Sequence, residues 1–259
     1  MFGFLIKKAF FDMWDNLFRV VLLNLGFIAC LFGLAILGSA YINPEVPALA
    51  FLTLCPILIP VFIYAGAASW VARDISDYQT PGFREFWAYL KKTAVQSLLF
   101  SLIVSLELFI IRVAIPFYAG LQSIIGIVAA AFILWIALFW SIACVYFFPV
   151  QSRLNTTLRK TVRKMLLIFF DNTVFSIGLA LGAVVVLVLS GFTAFLLPGI
   201  ATILVWLNAA LKLRLYKYDY LEQHPEANRR KIPWDALLID DRERVGKRTL
   251  RGMIFPWKE

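Results

Sequence analysis

The sequence predicts an all-α membrane protein with six transmembrane helices arranged as three helical hairpins, each preceded by a cytoplasmic interfacial amphipathic helix. Three observations predict it. The 259 residues are 61% hydrophobic and only 16% charged, where soluble domains are roughly half apolar and a quarter charged, and mean hydropathy is +0.81. Several apolar runs reach the ~20 residues that a helix needs to cross ~30 Å of hydrocarbon, and lipid offers no hydrogen-bond partner to an open strand. The basic residues are also segregated. Of 25 Lys and Arg, only Arg112 lies away from the N-terminal segment, two long polar gaps, their junctions with the spans, and the tail.

In residues 2–16, Leu5, Ala9 and Met13, with Ile6, Phe10 and Trp14 alongside, recur at helical spacing, while Lys8, Asp12 and Asp15 fall on another face. This predicts a helix lying in the membrane interface. Lys7 and Lys8 follow an apolar opening and no small-residue cleavage site closes a short apolar core, so this segment is expected to be retained. The first span is placed at about 17–40, closed by a turn at Asn43-Pro44 and Glu45, and the second at 46–71. Pro56 and Pro60 lie inside the second, where each frees a carbonyl and should kink or locally unwind the helix.

After the polar gap, Thr80-Pro81 suits the start of a helix. Phe83, Phe86, Trp87 and Leu90 then form one stripe, with Arg84, Glu85, Lys91 and Lys92 elsewhere, as in a second interfacial helix. The third span (94–118) and the fourth (122–148) are joined by a few residues around Gly120 in a tight hairpin. Leu154, Leu158, Val162, Met165 and Leu166, interleaved with Arg159, Lys160, Arg163 and Lys164, mark a third basic amphipathic helix. The fifth span (173–190) and the sixth (192–215) turn at Gly191. Residues 1–216 thus form a membrane domain and 217–259 a cytoplasmic tail. The order of interfacial helix then hairpin occurs three times. Trp14-Asp15-Asn16 and Phe170-Asp171-Asn172 open spans one and five, whereas Lys91-Lys92 stands at the middle junction, which suggests a threefold repeat.

The positive-inside rule then puts both termini and both long gaps in the cytoplasm. The net charge of +9 is expected to meet anionic lipid headgroups, not nucleic acid, because it flanks the spans. Cys30, Cys55 and Cys144 sit inside apolar runs without close spacing, as small buried side chains do. His224 is the only histidine, so histidine-based triads elsewhere, two-histidine zinc sites and bis-histidine haem are not expected. Neither a Walker A loop nor a dinucleotide glycine fingerprint is present. An enzyme is not expected, and no cofactor is implied.

The sharpest polar signal is Glu107 and Arg112 in the third span, because intramembrane charge is costly and usually faces the protein interior. Five residues separate them, about 140° around a helix, too far apart for an i,i+4 pair. Expected partners for Glu107 are Asn24, Asn208 and the backbone opened by Pro56 and Pro60; Arg112 lies nearer the outer surface, where its stem can snorkel. Gly178 and Gly182 form a G-x-x-x-G pattern that permits close helix packing within or between chains. In the tail, Arg229-Arg230-Lys231, Trp234 and Trp257 combine charge with aromatic rings that disordered segments lack, suggesting docking on the leaflet or on a partner protein.

Several of these residues resemble the YesL-like family of bacterial membrane proteins. The match lies in Trp14-Asp15-Asn16, the Phe83 to Trp87 stretch, Tyr146-Phe147-Phe148-Pro149 followed by Arg153, the basic helix to Leu166, and Leu207-Asn208. The resemblance covers about residues 1–215 and implies an inner-membrane protein of unknown function, often encoded beside carbohydrate ABC uptake systems. It leads to an expectation of an accessory or scaffold component, possible membrane-transporter subunits being its partners. The alternative is a small permease or channel using Glu107.

Overall fold

The computed structural model describes residues 1–41, 47–229 and 231–248, with side chains described outside 34–57. The predicted turn at 43–45, Cys55, Pro56, Arg230 and Trp257 therefore lie outside the described backbone or side chains. Among the described residues the chain is helical without strands: α1 (Phe2–Asp15), α2 (Leu17–Tyr41), α3 (Pro47–Ser76), α4 (Phe83–Gly120), α5 (Ile124–Cys144), α6 (Phe147–Leu154), α7 (Leu158–Asp171), α8 (Thr173–Gly191), α9 (Gly199–Gln223), α10 (Trp234–Leu237) and α11 (Ile239–Val245). Five helical stretches are long and apolar enough to cross a membrane, and six if α1 and α2, which meet at 87°, count as one bent span.

The helices α3 and α9 make the centre. Their span windows are 56% and 67% buried, against 6% for the window that begins with α5, so most of α5 turns outward to where lipid would cover it. Small residues bring α3 against α4. Thr93, Ser97, Ser101 and Ser105 recur every fourth position and are all buried, facing the run Ala65-Gly66-Ala67-Ala68. At Gly66 a Cβ would lie 2.2 Å from Ser97 Oγ. This is the small-residue packing that close helix approach in a membrane requires. On the other side, a Cβ at Gly182 would lie 2.9 Å from the Trp206 ring, and one at Gly178 would touch Phe2. The glycine pair thus makes room for rings of α9 and α1 within the same chain.

The two Asp-Asn junctions break the helix in the same way. Asn16 (φ −116°, ψ 27°) ends α1 and Asn172 (φ −136°, ψ 44°) ends α7. In both, the side-chain amide donates to the carbonyl four residues back, Asp12 at 3.1 Å and Ile168 at 3.2 Å. Such local bonds let Asn compete with the helical ladder. Where Lys91-Lys92 stands instead, nothing competes, and α4 runs for 38 residues without a break. The separate second interfacial helix expected at residues 83–92 is therefore the first part of α4, which at ~1.5 Å per residue is about 57 Å long.

Three further boundaries differ from expectation. The helix α3 continues through Pro60 without local unwinding. Within the fourth span the helix breaks at residues 145–146, and α6 carries the same apolar stretch on to Leu154. Span six starts at Gly199, because residues 192–198 form a compact loop held from α2.

Candidate functional site

The loop is held by Asn24, fully buried on α2. Its amide nitrogen donates to the carbonyls of Leu196 (2.9 Å) and Pro198 (2.8 Å), and its oxygen accepts from Ala201 N–H (2.8 Å). Gly199, at φ +72°, passes so close that a Cβ would fall 2.2 Å from the Asn24 amide. A left-handed backbone and no side chain are both needed at that position, which is why it is glycine. Asn208, also fully buried, ties α9 to α3 and α6: it accepts from Ser152 Oγ (2.9 Å) and donates to Ser69 Oγ (3.0 Å) and the Leu204 carbonyl (2.9 Å). Both asparagines are saturated by their own surroundings, and neither reaches Glu107.

Glu107 takes a partner that sequence reasoning did not weigh. Ser141 Oγ on α5 donates to its Oε1 at 3.0 Å. The carboxyl lies in a shallow groove between α4 and α5 whose walls include Leu106, Ile110, Ile133, Ile136 and Trp140. Leu106, Ile110 and Ile136 are each about half exposed, so the groove opens outward and away from the α3–α9 centre. The expectation that Asn24, Asn208 and the Pro60 backbone would shelter Glu107 is corrected: the hairpin partner α5 supplies the hydrogen bond, and Pro60 itself is exposed. Arg112 is exposed and makes no ion pair among the described residues, so it does not join Glu107.

The candidate docking cations stay at the surface. Lys91, Lys92, Arg159, Lys160, Arg163, Arg229 and Lys231 are exposed and Lys164 is half-buried. Lys92 Nζ rests 3.9 Å over the Trp70 ring, with the Arg73 guanidinium also on that ring at 4.3 Å. Trp234 is half-buried against the main apolar cluster.

The largest polar assembly was missed by sequence reasoning. Lys8, whose side chain is fully buried, pairs with Asp12 at 2.9 Å and donates to the Ser76 carbonyl at the end of α3 (2.9 Å). Lys212 on α9 donates to the same carbonyl (3.2 Å) and pairs with Asp241 of α11 (3.1 Å) and Asp77 (3.4 Å). Arg153 of α6 holds Asp77 at 3.1 Å. Tyr78, at φ +63°, donates to Asp241 Oδ1 at 2.8 Å. Three cations and three carboxylates thus gather around the C-terminal end of α3, where the helix dipole favours the cations. Lys8 and Asp12 therefore face inward. Their i,i+4 spacing was the available signal, but Leu5, Ala9 and Met13 set the buried face only in part.

Burial pushes Asp12 up to about 6, against the pull of Lys8, and lowers Lys8. Burial also acts to raise Asp241, but Lys212 and Lys8 hold it below its ordinary value. Tyr78 is raised by burial and by its bond to the Asp241 carboxylate. A second, smaller knot forms at Asp171: burial opposes its ionisation, yet Lys217 (2.8 Å) and Tyr218 (2.9 Å) hold it low.

Together these contacts dock the tail on its own chain. Leu238 and Asp241 are buried, Lys7 Nζ donates to the Gly246 carbonyl (3.0 Å), and Arg248 pairs with Asp15 (2.8 Å). Among the described residues no group of His, Cys, Asp and Glu has a metal-holding arrangement. Comparison with family models, curated proteins and solved structures finds no match to this chain.

Proposed function

We propose that the chain is an inner-membrane accessory or scaffold protein, with both termini cytoplasmic, that holds a partner membrane protein, in keeping with its resemblance to YesL-like proteins and their carbohydrate ABC transport context. The observation that carries this reading is the position of Glu107. A carboxyl opening sideways through an apolar groove of α4 and α5 presents itself to a helix in the bilayer, not to an internal path. Its two oxygens have lone pairs beyond those that Ser141 and Trp140 use, so a polar or basic side chain on a neighbouring helix completes the site. The permeation reading needs polar groups facing a common route, whereas Asn24 and Asn208 are saturated by separate structural bonds.

Affinity purification from native membranes tests the proposal. The wild-type chain should recover transporter subunits in stoichiometric amount, and Glu107→Leu should recover at least several-fold less at equal expression. Recovery of the wild-type chain alone overturns the proposal, as does sugar or ion flux above empty vesicles that Glu107→Gln abolishes.

A further inference from the structure

At the N-cap of α11 and along it, Leu238, Asp241 and Val245 are buried against the body of the protein, at 0%, 3% and 1% exposure. Their spacing of three and four places them along one face of a helix. The intervening Ile239, Asp240, Arg242, Glu243 and Arg244 are exposed. Asp241 enters a seat built by two donors, Lys212 Nζ (3.1 Å) and Tyr78 Oη (2.8 Å), with the buried Lys8 ammonium beside it at 3.8 Å. Without Asp241, the cations Lys8, Lys212 and Arg153 face only Asp12 and Asp77, and one buried positive charge is left uncompensated. That is expensive away from water. The seat therefore requires a carboxylate.

Nothing requires that carboxylate to be Asp241. The other oxygen of Asp241, Oδ2, is buried and accepts no hydrogen bond, so the seat leaves its resident occupant partly unsatisfied, which weakens that occupant's hold. Its remaining attachments are partly exposed: Lys7 Nζ donates to the Gly246 carbonyl (3.0 Å), and the Arg248 guanidinium lies 4.5 Å over the Phe11 ring. The Arg248–Asp15 pair is nearly half exposed on both sides, and exposed pairs contribute little. The tail is joined to α9 through residues 224–233, of which those from His224 to Glu226, together with Asn228 and Arg229, are exposed.

We propose that this seat, formed by α1, the C-terminal end of α3 and α9, is a receptor for a short amphipathic helix of pattern apolar-x-x-Asp-x-x-x-apolar. The chain's own α11 is its resident occupant, and a cytoplasmic partner segment with the same pattern exchanges with it. The seat works as a helix-in-groove site in which the two apolar residues anchor and the carboxylate selects. Only the identity of the occupant as a partner rests on the accessory-protein reading; the receptor stands or falls by itself.

The test uses the full chain in lipid nanodiscs with a protease site inserted at 226–229, so that the tail is cut only after folding. Fluorescent peptides covering residues 232–248 then compete for the seat. Tethering holds the resident helix at an effective concentration on the order of mM, so cutting should lower the peptide concentration needed for exchange by tenfold or more. The Asp241→Asn peptide should bind at least tenfold more weakly. A peptide carrying only Leu, Asp and Val at the three positions on an unrelated polar helix should compete within a few-fold of the native one. The receptor is overturned if the wild-type and Asp241→Asn peptides bind alike, if the unrelated helix does not compete, if inorganic phosphate displaces the tail as readily as the peptide, or if the cut tail stays bound without exchanging. If exchange behaves as expected while native membranes and cytosol yield no partner, the accessory-protein reading falls and the receptor remains.

Discussion

Asp12 and Asn24 show how differently two buried polar residues act. Asn24 meets three backbone groups of the α8–α9 loop and its start. Asn24→Leu removes all of these partners at once, leaving buried polar atoms unsatisfied, and should cost about 3 kcal/mol, read as a lowered thermal midpoint in detergent. Asp12 is the opposite case, since burial makes its ionised form costly. The folded carboxyl keeps its proton to about pH 6, while the unfolded one loses it near 3.8. Its contribution to stability is thus fully present below 3.8 and is lost as pH rises through about 6. The difference in thermal midpoint between the wild-type chain and Asp12→Asn should therefore shift in favour of the variant between pH 4 and pH 6.5. A difference that stays constant across that window would remove Asp12 as its source.

Among the elements, what the sequence made legible was periodicity and punctuation. The stripe from Leu158 to Leu166 and the Asp-Asn junctions appear where their side-chain patterns put them, whereas Leu154, expected in the same stripe, ends α6 and is parted from α7 by Asn155 at φ +44°. What was not legible depended on side chains far apart in the chain. The serine ladder of α4 carries no hydropathy contrast, so its match to Ala65-Gly66-Ala67 emerges only when the helices meet. Likewise the continuity of α4 follows from a missing asparagine, which a pattern search for stripes does not weigh. The seam gives its own prediction. Gly66→Leu should destabilise by about 2 kcal/mol by pushing Ser97 and Thr93 away, while Gly66→Ala should cost less because the Ser97 hydroxyl can turn. Equal melting of both variants and the wild-type chain would show that α3 and α4 do not approach this closely in lipid. For the site, Glu107 was legible as a deep charge, but its partner was not: Ser141 is one of many hydroxyls, and nothing in the sequence distinguishes it.

The whole molecule is unevenly built. Polar bonding collects at the end where α3 finishes and α4 begins, and the α4–α5 hairpin carries an apolar, exposed surface around its turn, with Ile124 and Ile125 each 81% exposed. That asymmetry agrees with the proposed cytoplasmic placement of the charged end. In a cysteine-free background, a cysteine at position 122 should react with impermeant thiol reagents added outside intact cells, and one at position 226 only after the cells are opened. The reverse pattern would invert the topology.

The charged assembly around α3 joins residues from the two extremes of the chain, with Arg248 and Asp15 separated by 233 positions and Lys7 and Gly246 by 239. In biosynthesis these extremes are separated in time. The helix α1 leaves the ribosome well before α11, and Lys8 then waits without Asp241 until the stretch between them has been made. Docking of α11 therefore reports that translation has passed it, and chains arrested before residue 235 should leave a cysteine at position 8 open to modification that chains extending past α11 resist.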